Sequence, residues 1–144
     1  METRLDFVSV NKRYFRMQGQ AQRSTHDRIR LITHKGKNVI FIDYSGCSSA
    51  VAEQILREVP DIVAAYPLRS ALLLAEFTGA SFSSEALSVM KEAAVFDKPY
   101  VKKAAWVGAD CFPPEFVETL KTYSAREFPT FDTREQALDW LVRD

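Results

Sequence analysis

Apolar and polar residues largely alternate along two short stretches in the first third of the chain. The alternation runs over residues 29–33, stops at the polar segment 34–37 (HKGK), and resumes over residues 38–44. A repeat of two places successive side chains on opposite faces of a β-strand, and a short glycine-containing segment between two such stretches is typical of a turn. The pattern therefore predicts a β-hairpin.

Beyond residue 46 the repeat changes from two residues to three or four, which is the repeat of an amphipathic α-helix. The apolar positions of this helix are Val51, Ile55, Val59 and Ile62. Pro60 lies within the same stretch. Because proline lacks an N–H group and clashes with the preceding turn, we expect it to kink or divide the helix.

Strands and helices are predicted to alternate along the rest of the chain. Nearly unbroken apolar runs predict strands at residues 70–77 and 100–107, and a short last strand is predicted at residues 127–131. Apolar stripes at helical spacing predict the helices between and after them, with core positions Leu87, Met90, Ala94, Phe116, Val117, Leu120, Ala137, Leu138 and Leu141. The last helix begins at two overlapping capping boxes, Asp132 with Glu135 and Thr133 with Gln136.

The predicted order is β-β-α-β-α-β-α-β-α. Strands that alternate with helices pair in parallel through right-handed crossovers, whereas the first strand of a hairpin pairs antiparallel. The fold class is therefore α/β, a mixed and mostly parallel sheet of about five strands with helices packed on it. We assign residues 26–144 to this domain and residues 1–25 to a basic N-terminal extension.

Charge distinguishes that extension from the domain. Residues 1–30 carry seven basic and three acidic residues, although the whole chain has 19 of each and a net charge of zero. The extension either docks on an acidic partner or a phosphate, or is a solvated arm. The neutral total argues against a nucleic-acid-binding protein.

The chain has 144 residues, of which 47% are hydrophobic and 26% are charged. This composition is that of an ordinary globular domain. Its first residues lack the pattern of a secretory signal, and its apolar runs are too short to span a membrane, so we expect a cytoplasmic protein. Cys47 and Cys111 have no metal-ligand spacing, and no glycine-rich phosphate loop occurs. We therefore expect two free thiols, no metal and no cofactor.

Four fragments carry a resemblance to a known family. They are ITHKGKNVIFIDYSG (32–46), EFTGASF (76–82), DKPYVKKAAWVG (97–108) and FDTREQALDWL (131–141). In this order they resemble the SpoIIAA-like, or STAS-like, bacterial proteins of uncharacterised function, over about residues 29–143. The resemblance implies the fold predicted above. It also implies a relation to anti-sigma-factor antagonists, which are phospho-switched protein-binding modules, and to CRAL-TRIO lipid carriers of the same wider fold group.

The phosphorylation site of the antagonists is only partly present. Their signature is an Asp-Ser-Ser-Gly type of sequence at the start of a helix. Ser83 and Ser84 lie near the corresponding place, but the preceding aspartate and the following glycine are absent. Glu85 would repel a phosphate beside it, which argues against a kinase-controlled switch.

The loops after the parallel strands form the predicted site, because ligands of α/β sheets bind beyond the carboxyl ends of the strands. We call this surface the strand-end pole and define it as residues 44–49, 78–84 and 110–112. Its candidate binding residues are Tyr44, Ser45, Cys47, Ser48, Thr78, Ser81, Phe82, Ser83, Ser84, Asp110 and Phe112. Phe82 and Phe112 are expected to be exposed anchors, with the alternative that both fill the core beneath the loops. The serines either bind a partner or cap helices.

Three functions are compatible with these residues. The first is a non-catalytic protein-interaction or regulatory module that binds a protein partner or a second copy of itself. The second is a carrier of lipid or another small apolar ligand. The third is a small enzyme that uses Cys47 as a thiol nucleophile or Asp43 and Glu76 as an acid–base pair. A thiol enzyme also needs a base, and neither His34 in the hairpin turn nor His26 next to the extension is well placed to be one.

Overall fold

The computed structural model describes residues 27–143. The proposed extension, residues 1–25, and its boundary with the domain lie outside this range. The first two strands, β1 (Ile29–His34) and β2 (Lys37–Asp43), form the predicted antiparallel hairpin. Lys35 and Gly36 connect them with φ values of 50° and 82°. Positive φ at both central residues is the geometry of the two-residue turn that matches strand twist.

Three parallel strands and four helices follow in the predicted order. They are α1 (Ser49–Val63), β3 (Ala71–Glu76), α2 (Ser84–Asp97), β4 (Val101–Val107), α3 (Pro114–Ser124), β5 (Thr130–Phe131) and α4 (Arg134–Val142). The sheet order is β1-β2-β3-β4-β5, and every pair after the hairpin is parallel. The predicted fold class is confirmed. None of the helices in residues 27–143 is long and apolar enough to cross a membrane.

Proline explains two departures from the predicted elements. Pro60 does not divide α1: it lies in the last turn, the helix continues to Val63, and the Pro60 carbonyl accepts from the Ala64 N–H at 3.0 Å. The last strand covers only Thr130 and Phe131 and not residues 127–131. Pro129 has no N–H for the ladder, although its carbonyl accepts from Trp106 at 2.9 Å.

The helices cover the two faces of the sheet unequally. On one face, called the three-helix face, α1, α2 and α3 enclose a large apolar core with side chains such as Ile42, Leu73 and Trp106. The opposite face is covered by α4, whose Leu138 and Leu141 pack on a smaller cluster. The central strand β3 is consequently buried on both faces, as its apolar run predicts.

Candidate functional site

Hydrogen bonds join the first two loops of the strand-end pole to each other. The Gly46 N–H donates to the Thr78 carbonyl at 2.8 Å, and the Ser81 N–H donates to the Cys47 carbonyl at 3.1 Å. The Ser49 hydroxyl accepts from the Ser83 N–H at 2.7 Å. The loops after β2 and β3 therefore form one connected surface, and the beginnings of α1 and α2 are linked.

The third loop reaches this surface through Gly108, which follows β4. Gly108 has a φ of +72°, and a Cβ atom built on it would overlap the Thr78 hydroxyl and lie 2.9 Å from the Thr78 nitrogen. Only a residue without a side chain allows such a close approach of the two backbones. The loops after β2, β3 and β4 thus meet at Thr78, as expected for consecutive parallel strands.

Replacing Gly108 with alanine is expected to destabilise the protein by about 2–4 kcal/mol, because left-handed backbone strain and a steric overlap act together. The matched control is Gly36→Ala, where φ is +82° but no atom lies within 4 Å of the added Cβ. The control should cost only about 1–2 kcal/mol. Urea unfolding of both variants measures the difference, and equal losses would contradict a close approach at Thr78.

Aromatic rings form a cluster directly beneath the pole. Phe77 is its centre, with ring centroids 5.0 Å from Tyr44, 5.1 Å from Trp106 and 4.8 Å from Phe112. Phe112 is only 5% exposed, so it fills the core and its expected place as an exposed anchor is wrong. Phe82 is half-buried, 4.9 Å from the Phe112 ring. The predicted exposure failed here because apolar loop residues can equally close a core from above.

Some serines of the pole form hydrogen bonds within the protein, and others are exposed. Ser48 and Ser83 are the N-caps of α1 and α2, where their hydroxyls accept from the Val51 and Ala86 N–H groups. Ser45 donates its hydroxyl and its N–H to Asp43 Oδ1, at 2.5 Å and 2.9 Å. Capping is therefore confirmed for two of the candidates. Ser81 and Ser84 are exposed.

Neither cysteine has the surroundings of a catalytic thiol. Cys47 is 4% exposed, and burial raises the pKa of its thiol. Desolvation by its surroundings also raises the pKa of Cys111, although this residue is exposed overall. His34 lies in the hairpin, where its ring bonds Asp139 of α4 at 2.7 Å. A nucleophilic thiol needs a lowered pKa and a nearby base, so this geometry does not favour a thiol enzyme.

Thiol titration should distinguish the two cysteines. Both are free in the structure, so denatured protein should give two reactive thiols per chain. In the native protein we expect Cys111 to react within minutes, because it is exposed, and Cys47 to react far more slowly, because it is buried. Rapid reaction of a native Cys111→Ser variant would contradict the buried position of Cys47.

The two carboxylates that the sequence analysis offered as an acid–base pair are engaged in structural contacts. Asp43 and Glu76 are register partners on β2 and β3. Asp43 binds Ser45 as described above, and Glu76 accepts from the Arg134 guanidinium at 2.9 Å. Arg134 in turn lies over the Phe41 ring at 4.5 Å. These partners tie the loop after β2 and the start of α4 to the sheet, and they do not favour acid–base chemistry.

A buried polar group that the sequence-based prediction missed lies under the three-helix face. Asp97, the last residue of α2, is 5% exposed, and its Oδ1 has no hydrogen-bond partner. Burial raises its pKa to about 7, and the nearby Arg126 lowers it in part. The signal was present, because Asp97 continues the stripe of Met90 and Ala94 at a helical step of three.

Asp97 and Arg126 line a cavity of about 60 Å³ among apolar side chains that include Tyr44 and Phe128. Pockets that hold small-molecule ligands usually measure about 300–1,000 Å³. The cavity is far smaller than that, so it gives no support to a carrier of lipid. Burial and the nearby Asp97 raise the pKa of Tyr44, which keeps its phenol neutral.

The accessible part of the strand-end pole is polar. Its exposed residues are Gly46, Ser48, Thr78, Gly79, Ser81, Ser84, Asp110 and Cys111. Of the other predicted binding residues, Tyr44 and Cys47 are buried, and Ser45 and Ser83 are half-buried. The pole is thus a polar surface that lies over a cluster of packed aromatic rings. Such a surface can form hydrogen bonds with a partner.

Comparisons with known proteins support the fold. Neither a protein-family model nor a curated protein matches the chain. An uncharacterised DUF3478-family protein with a SpoIIAA-like fold from Shewanella loihica PV-4 superposes with a TM-score of 0.62 at 17% identity, covering 78% of this chain and 91% of that one. An anti-sigma-factor antagonist (STAS) domain protein from Planctomyces limnophilus gives 0.52 at 18% identity, covering 80% and 98%. The chain therefore has a SpoIIAA-like fold, as the resemblance of its fragments implied.

Proposed function

We propose that the chain is a non-catalytic protein-interaction module of the STAS type that acts in the cytoplasm and binds its partner at the strand-end pole. The fold supports this proposal, because a solved protein of the same fold is described as an anti-sigma-factor antagonist. The two free thiols fit a reducing compartment. Loops held on a rigid sheet are a common location for binding residues.

One observation carries the proposal. The three candidate catalytic groups of the sequence analysis are buried or engaged in structural contacts, whereas most of the groups that remain exposed at the pole are suited to hydrogen bonding. Cys47 is buried, and Asp43 and Glu76 are bound by Ser45 and Arg134. Thr78, Ser81 and Asp110 are exposed. A surface of this kind contributes to recognition and not to catalysis.

Site-specific photo-crosslinking tests the proposal. A photoreactive amino acid at Ser81 should give a discrete adduct with a protein, or with a second copy of the chain, in cells that express the protein. The same group at Arg57, an exposed position on α1 61% open to solvent, is the control and should give none. Adding Thr78→Arg should abolish the Ser81 adduct by placing a bulky charge in the interface.

The contrary result is equally specific. Adducts of equal yield at Ser81 and Arg57, or a Ser81 adduct insensitive to Thr78→Arg, would count against a partner at the pole. Turnover of a substrate that depends on Cys47 or Asp43 would refute the non-catalytic part of the proposal. Mass spectrometry of the adduct identifies the partner and distinguishes self-association from binding to another protein.

A further inference from the structure

The outer edge of β4 is only partly covered by its neighbour. β5 pairs with Trp106 and Val107 alone, so residues 101–105 have no strand partner on that side within the described part of the chain. Trp106 donates its N–H toward this side, to the Pro129 carbonyl. Because backbone groups alternate along a strand, Ala104 directs its N–H and C=O to the same edge. Such an edge is a template for the addition of another strand.

A groove of about 510 Å³ runs along this uncovered edge. Its charged residues are the basic Arg69, Lys98, Lys102, Lys103 and Arg126 and the acidic Glu127. Arg69, Lys98 and Lys102 are exposed and form no ion pair with other residues in the range 27–143. The groove, which we call the edge groove, therefore carries an excess of positive charge.

The cations lie on both faces of the sheet edge. On the three-helix face, Arg126 donates to the Ala94 carbonyl of α2 at 3.0 Å. On the opposite face, Lys103 Nζ lies 4.7 Å from the centroid of the Trp140 ring of α4. A strand added to the edge would alternate its side chains between the same two faces. Acidic side chains on successive residues of that strand would then each meet a cation.

We propose that the edge groove binds an extended acidic segment of a protein partner, which adds to the sheet as a strand beside residues 101–105 of β4. Main-chain hydrogen bonds to the free edge would supply affinity, and the opposite charges would select the segment. The groove begins at the amino-terminal end of β4, whereas the strand-end pole lies beyond its carboxyl end. The two surfaces are separate, so this inference goes beyond the proposed function.

Fluorescence anisotropy with short peptides tests the inference on the full-length chain. The probe is a labelled eight-residue peptide of repeating Glu-Glu-Val-Val, which presents glutamate on both faces of a strand. We expect the double variant Lys98→Glu, Lys102→Glu to weaken binding at least about tenfold, because two favourable charge contacts become repulsive. The control Arg57→Glu, a charge reversal on α1, should change the Kd less than about twofold. Circular dichroism verifies that all three proteins are folded.

Two further peptides separate strand addition from simple charge attraction. Methylation of alternate amide nitrogens removes hydrogen-bond donors and should abolish binding, and replacement of glutamate by lysine should do the same. Equal binding of the methylated peptide would overturn the strand addition. Binding unaffected by Lys98→Glu, Lys102→Glu would overturn the groove as the site. If the glutamate peptide fails to bind while phosphatidylserine vesicles bind in a Lys98- and Lys102-dependent way, the partner is a membrane surface and the inference is wrong.

Discussion

The variant Phe77→Ala is expected to lose about 3–5 kcal/mol of unfolding free energy, with a fall in Tm on the order of 10 °C. Phe77 is 1% exposed and contacts the rings of Tyr44, Phe82, Trp106 and Phe112. Truncation removes its transfer free energy and leaves a cavity that these rings can fill only in part. The loops of the strand-end pole rest on the same cluster, so they should loosen as well.

The matched control is Phe96→Ala. Phe96 lies near the end of α2, is 50% exposed, and has one ring neighbour, Tyr100, at 6.2 Å. Its removal should cost less than about 1 kcal/mol, as is usual for partly exposed side chains. Thermal unfolding of the two variants under one set of conditions makes the comparison. Similar losses in both would contradict a cluster of packed aromatic rings under the pole.

The second large effect is the dependence of the protein's stability on pH that Asp97 causes. Burial raises the pKa of this carboxyl from an ordinary value of 3.8 to about 7. The folded protein therefore keeps a proton on Asp97 at pH values where the unfolded chain has lost it. The contribution of Asp97 to the free energy of unfolding is greatest below pH 3.8 and decreases as the pH rises toward 7. Above pH 7 it no longer changes with pH. A shift of this size corresponds to a change of about 4 kcal/mol.

The variant Asp97→Asn should lack this fall in stability between pH 4 and 7, because an amide does not titrate. Urea unfolding at a series of pH values measures the slope. Asp139→Asn is the control, since Asp139 is half-buried and its hydrogen bonds to His34 and Lys35 lower its pKa. That variant should retain the fall due to Asp97. If Asp97→Asn leaves the slope of stability against pH unchanged, the Asp97 carboxyl is hydrated and its pKa is not raised.

Most of the fold follows from local patterns in the sequence. The hairpin is specified by alternating residues around Lys35 and Gly36, and β3 by an apolar run that only a strand buried on both faces requires. The length of β5 was overestimated because the prediction followed the pattern of residues 127–131 and did not take into account that Pro129 cannot donate to a ladder. Side-chain patterns thus predict the order and pairing of the strands better than they predict where each strand ends.

The convergence of the three loops was predictable from the sequence, and the exposure of their side chains was less so. Parallel strands bring their carboxyl ends to one edge of the sheet, which allowed the convergence of the three loops to be expected from topology. The exposure of Phe112 could not be derived in this way, because it depends on the distance between loop and core. Asp97 was missed although it continues the apolar stripe of α2, because an aspartate is seldom buried unless it is paired, and the nearby Arg126 is distant in sequence.

Amide hydrogen exchange on the complex with the cross-linked partner tests the central claim most directly. We predict that binding slows exchange in two loops of the strand-end pole, residues 78–84 and 110–112, and leaves exchange in α4 and in the hairpin turn unchanged. Protection confined to α4, to the hairpin turn or to residues 101–105 of β4, with the pole unaffected, would contradict a partner-binding surface at the strand-end pole.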